Sequence, residues 1–200
     1  MKNSKRYLTV LMMTALLASG ASQAQNMGNG GTTYSGLQAN VRPDVYLGKF
    51  IELNQAEAAG NAALATSLGL APAARPALAL DATASEVAAT VSAAGAAQQQ
   101  LIEAMAKPAA LSDTAKASFA AAAVALAQTS RDFTETTKNL GGIKQNLAMS
   151  GARAKVALYA SRNTADLADK LRAELKAVVA FAAANQIALA PEVAATAAAM

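Results

Sequence analysis

Apolar residues recur along most of this chain in steps of three and four, the spacing that gathers side chains on one face of an α-helix. The longest such stretch runs from Ser112 to Asn185 and is broken once, at Leu140-Gly141-Gly142-Ile143, which predicts a helical hairpin. On its first arm, capped by Ser112, the seam reads Ala115, Phe119, Ala122, Leu126, Thr129, Phe133, and the helix is expected to reach about Asn139. Ile143, Leu147, Ala154 and Leu158 begin the second seam; Leu167, Leu171, Leu175, Val178 and Phe181 complete it. Between them, Ser161-Arg162-Asn163-Thr164 offers a capping residue but no Gly or Pro, so a bend and a break weigh equally.

Upstream, Pro43-Asp44 starts a helix that should run to about Leu68 and end at Gly69. Its stripe begins with Tyr46, Leu47, Phe50, Ile51 and Leu53 and continues as Ala58, Ala62, Ala65 and Leu68. Pro72 and Pro76 then make Ala71 to Leu80 an extended connector. Thr83-Ala84-Ser85-Glu86 has capping-box spacing, so a second helix follows to about Ala106. There Val87, Val91, Ala94, Leu101 and Met105 face inward with Gln98 as the polar member, and Lys107-Pro108 stops the helix. After Pro191 only a frayed turn or two is expected. The fold class read from this pattern is all-α, an up-and-down bundle of four to five Ala-rich helices over residues 43–186, with a frayed tail over 187–200. Ser67-Leu-Gly-Leu-Ala-Pro72 and Gln186-Ile-Ala-Leu-Ala-Pro191 echo each other, a likeness that Ala-rich composition also produces by chance.

Composition changes this picture in one respect. Ala supplies 56 of the 200 residues, so about half of the 54% hydrophobic fraction is a side chain with a single methyl to bury. The core should be thin and the helices close together.

Met1 to Ala24 has the three zones of a secretory signal peptide: basic Lys2, Lys5 and Arg6, an apolar run from Leu8 to Ala18, and a small-residue end. The run is about half the ~20 residues that a bilayer core demands. Ser22-Gln23-Ala24 places cleavage between Ala24 and Gln25, and the Gly- and Asn-rich residues 25–42 read as a flexible arm. No later run is a membrane span, because charged or amide residues punctuate every one. The expected compartment is the periplasm or the exterior.

Removing the leader takes three of the 17 basic residues, leaving 14 against 13 acidic ones with no Lys/Arg cluster. That balance excludes nucleic acid as a partner. With neither Cys nor His, the chain lacks thiolate and imidazole, the commonest metal ligands and general base. No Gly-x-Ser-x-Gly elbow is present, and no stretch carries a family motif that transfers position by position. Catalytic, cofactor-binding and metal-ligating residues are therefore all read as none. The densest charge cluster, Asp166, Asp169, Lys170, Arg172, Glu174 and Lys176, reads as a salt-bridged solvent face through Asp166/Lys170 and Asp169/Arg172. Tyr46 and Tyr159 are expected to pack with their hydroxyls at the surface. Asn54, Asn61, Gln98, Thr129 and Ser150 fall on inward stripes, where they should set helix register rather than wet a cavity.

What remains is helical surface. The function expected is that of a non-catalytic interaction or scaffold protein of a bacterial-type cell envelope, with an envelope protein or a second copy as partner. The alternative is a binder of lipid or an apolar small molecule inside the bundle, with Gly141-Gly142 as the hinge that opens it. Without His, stability and association should be nearly flat from about pH 6 to 8 unless a buried carboxylate is strongly displaced.

Overall fold

A computed structural model describes residues 43–138 and 151–199. The leader, the 25–42 arm, the Ala24/Gln25 cleavage site, Ser150 and the Gly141-Gly142 hinge lie outside the described residues. The protein is all-α: five helices and no strand among the described residues. They are α1 (Pro43–Ser67), α2 (Ala84–Met105), α3 (Asp113–Lys138), α4 (Gly151–Ala184) and α5 (Pro191–Ala198).

Local signals set most boundaries. Thr83 caps α2 in a complete capping box: its Oγ accepts from the Glu86 backbone N–H, and the Thr83 backbone N–H donates to the Glu86 carboxylate at 2.7 Å. The Ser112 hydroxyl accepts from the Ala115 N–H at 3.2 Å to start α3. Gly69, at φ 74°, ends α1 in a Schellman turn whose Leu70 N–H reaches the Ala65 carbonyl at 2.8 Å. The same turn ends α4, with Ile187 bonded to Ala182, but Gln186 takes the left-handed position at φ 55°. Gly69 thus corresponds to Gln186, two residues out of step with the sequence echo.

Helix directions follow from which residues meet. Tyr46 bonds Thr164, and Glu57 acts on Glu174, so α1 and α4 run parallel. Gly95 abuts Lys170 while Ile102 and Met105 lie beside Phe181, which sets α2 parallel to α4 as well. Against them, α3 is antiparallel: Gly60 abuts Leu126 with Lys49 near Asp132, and Phe119 stacks on Phe181 with ring centroids 5.1 Å apart. From α2 to α4 the chain alternates up and down. At α1 to α2 it does not, because the 68–83 connector itself makes the return trip along α1: Leu70 bonds Ala65, Arg75 bonds Glu57, and Leu80 lies against Gly48. The connector lies over the seam where α1 and α2 meet only sparsely.

The α2 and α3 seams are buried as the spacing predicts, apart from the half-buried Ala115. Three expectations change. Ser161–Thr164 does not break α4, which runs on through it: the Thr164 hydroxyl caps no new helix and bonds the Ala160 carbonyl one turn back. Residues 191–198 do not fray: Pro191 sits at the first helical position, and Val193, Thr196 and Ala197 are buried where α5 packs on α3 and α4. The Tyr46 hydroxyl is not at the surface but buried, 2.5 Å from Thr164 Oγ.

Candidate functional site

The α1 stripe beyond Leu53 departs from the Ala58/Ala62 line expected for it. The buried positions are Asn54, Glu57, Gly60, Asn61, Leu64, Ala65 and Ser67; of the expected line only Ala65 is among them, Ala58, Ala62 and Leu68 being half-buried, and Glu57, Asn61 and Leu64 carry the 3–4 spacing onward from Phe50 and Leu53. A carboxylate, Glu57, is thereby carried into the core at 1% exposure. Arg75 answers it from the connector, both terminal guanidinium nitrogens donating to the two Glu57 oxygens in a bidentate fork. Asn61 Nδ2 adds a bond to Glu57 Oε1 at 2.7 Å.

The second carboxylate corrects the solvent-face reading. Asp166–Lys170 and Asp169–Arg172 do form exposed ion pairs, each at 2.9 Å, and Lys176 is exposed. Glu174 is not part of that face. It is fully buried, 0% exposed, because it falls on the Leu167, Leu171, Glu174, Val178, Phe181 line that packs into the bundle. Neither Glu174 oxygen has a hydrogen-bond partner, and Gln98, at 2% exposure, has both amide atoms unpaired. Asn61 and Gln98 stand close enough to act on the two carboxyls, yet no contact beyond the Asn61–Glu57 bond has hydrogen-bonding geometry.

Burial raises Glu57 above the ordinary carboxylate range, opposed by the Arg75 fork and the amides of Asn61 and Gln98. Glu174 is raised much further, first by burial and then by the Glu57 charge, with only Arg75 and Asn61 acting against them. This is the strongly displaced carboxylate for which the expectation of flat pH behaviour made its exception. Chemically the cluster can take and release a proton. It does not admit a substrate, since the cavity beside Asn61 and Arg75 is about 10 Å³, the size of one water.

The polar residues expected to set register divide into two kinds. Asn54 bonds the Phe50 carbonyl and Thr129 the Ala125 carbonyl, each within its own helix, so neither ties one helix to another. Asn61 and Gln98 belong to the carboxyl cluster.

An open groove of about 790 Å³ lies at the far end of the bundle, between the last turns of α2 and α4 and the connector that joins α2 to α3. Ile102, Met105, Ala109, Ala177 and Phe181 supply its apolar walls, with Lys107 and Asn185 among its polar lining. No protein-family model matches the sequence, and neither a curated protein nor a solved structure matches it significantly. Among the described residues no helix is long and apolar enough to cross a membrane, and no three acidic side chains converge to hold a metal ion.

Proposed function

We propose that the chain is an exported, non-catalytic interaction protein of a bacterial-type cell envelope, and that the groove between the ends of α2 and α4 is its docking surface. What supports the reading is the groove's lining: apolar side chains and small Ala residues form a concavity wide enough for the apolar face of a partner's helix. The partner is an envelope protein or a second copy of the chain. Ala180 and Ala184 are exposed on its wall, so a bulky charged residue there obstructs the groove without disturbing the core. The test compares wild type with Ala180→Arg in a pull-down from envelope extract and in sedimentation. A protein or a second copy retained by the wild type and lost by the variant is expected. Identical retention by both, or a strict monomer that retains nothing, refutes the reading.

The groove volume, within the roughly 300–1,000 Å³ typical of small-molecule sites, favours one second reading, an apolar ligand. Such a ligand belongs in the groove and not in the bundle interior, since the cavity at the carboxyl cluster holds no more than a water. Native mass spectrometry of freshly purified protein separates the two, because lipid-sized adducts that disappear in Ala180→Arg belong to the ligand reading alone.

A further inference from the structure

The 68–83 connector has no regular secondary structure, and along Ala71–Leu80 its side chains are exposed except at Arg75 and Leu78. Its polar grip on the bundle is the Arg75 fork on Glu57, joined by one long bond of 3.4 Å that the Thr90 hydroxyl of α2 donates to the Pro76 carbonyl. One guanidinium serves two buried carboxyls, and that imbalance makes the grip conditional. We propose that Glu57, Arg75 and Glu174 form a proton-operated latch on this connector, closed while Glu174 holds a proton and released when the proton leaves.

The groups around Glu174 decide the direction. It faces Glu57 and Asn61 from α1 and Arg75 from the connector; α2 contributes the neutral amide of Gln98, directed at Glu57, and α3 and α5 add no charge to its surroundings. With Glu174 protonated the cluster is neutral, Glu57 minus balanced by Arg75 plus. The carboxylic O–H also supplies a donor in a place where the Asn61 and Gln98 carbonyl oxygens have none. Once Glu174 ionises, a second negative charge sits in a dry site with no cation of its own, and an uncompensated buried charge is among the costliest features a fold can carry. Water or counter-ions must reach it. The path of least resistance is the α1/α2 seam, where the helices meet sparsely and the cover is the connector segment Leu70, Ala71, Ala73 and Arg75. Lifting that segment hydrates Glu174 at the expense of the Arg75–Glu57 fork. The latch is thus tight below the raised value at which Glu174 gives up its proton and loose above it.

The chain has no Cys, so a single introduced thiol reports on opening. Ala97 is buried on α2 and lines the small cavity under the connector. In Ala97→Cys, thiol labelling is followed between about pH 6 and 8.5, each rate divided by that of a free thiol of known ionisation. The expected result is accessibility that climbs with pH, by up to about tenfold per pH unit, the limit for one linked proton. Adding Glu174→Gln should hold the thiol protected throughout, and adding Arg75→Ala should expose it throughout. A normalised rate that is flat in Ala97→Cys, or that climbs equally with Glu174→Gln, overturns the latch. If Glu174→Gln does not fold by circular dichroism, Glu174→Met carries the same test. Labelling at pH 8.5 in sodium and in choline buffers should agree, and a difference would assign the buried carboxylate to a metal cation and overturn the proton reading.

Discussion

Gly60 is where the close approach of α1 and α3 is most exposed to test. A Cβ built there would lie 2.9 Å from both Cγ and Cδ2 of Leu126, closer than real methyl groups come to a neighbour. Leu126 is itself fully buried, and one of the two crowded atoms is its branch carbon Cγ, not the far end of a flexible side chain. Gly60→Ala gains about 0.8–1.0 kcal/mol of helix propensity, but crowding a packed core costs about 1–3 kcal/mol. The net should be a loss of roughly 1 kcal/mol. Gly48, in the same helix, is the control: its Cβ would meet Leu80 at 3.6 Å, an ordinary contact, so Gly48→Ala should stabilise by about 0.5–1 kcal/mol. Both substitutions add one methyl to one helix, and the difference between them isolates the crowding. Urea unfolding followed at 222 nm measures each. Leu126→Ala alone should cost about 3–5 kcal/mol, and in that background Gly60→Ala should change sign, because its methyl then occupies part of the space Leu126 vacated. Equal shifts for Gly48→Ala and Gly60→Ala, or no reversal with Leu126→Ala, would refute the packing of α1 on α3.

Three further outcomes are expected. Tyr46→Phe removes the bond to Thr164 while Thr164 keeps its bond to Ala160, so stability should drop by about 1 kcal/mol in urea unfolding. Gln186→Gly relieves a left-handed residue at an exposed helix end and should raise stability by up to about 1 kcal/mol in the same assay. Glu174 binds its proton more tightly folded than unfolded, so its contribution is fully present below the unfolded value of about 4.5 and is lost as pH rises towards the folded value. Glu174→Gln should therefore match wild type in melting temperature near pH 4 and exceed it by a growing margin towards pH 8; a constant difference across that range would place Glu174 in water.

Short-range pattern was enough for much of the architecture, because the signals that define it are local. The capping box at Thr83/Glu86, the Ser112 cap, the stop at Gly69 and the seams of α2 and α3 each depend on residues within four positions of one another. The carboxyl cluster was half legible. Glu57 lies in step with Phe50, Leu53, Asn61 and Leu64, and Glu174 with Leu171 and Val178, so their spacing alone marked them as inward. Charge argued the opposite, since an unpaired acidic residue on a helix belongs in water, and no local pattern shows that a partner will arrive.

Only the tertiary structure supplies that partner. Arg75 comes from 18 residues beyond Glu57, carried there because the connector doubles back along α1, and this same path makes α1 and α2 parallel. Thr164, free by its local sequence to cap a new helix, stays in the old one, where its hydroxyl meets both the Ala160 carbonyl and Tyr46 from 118 residues away. The eight residues of α5 are too few to be stable alone and are held by burial of Val193 and Ala197 against α3 and α4. The sequence by itself determined where α1, α2 and α3 start and stop and which faces of α2 and α3 are apolar, since those depend on backbone propensity and periodicity. Which polar residues are buried, and against whom, depended on the route of a proline-bearing connector, and that route follows from how the helices pack.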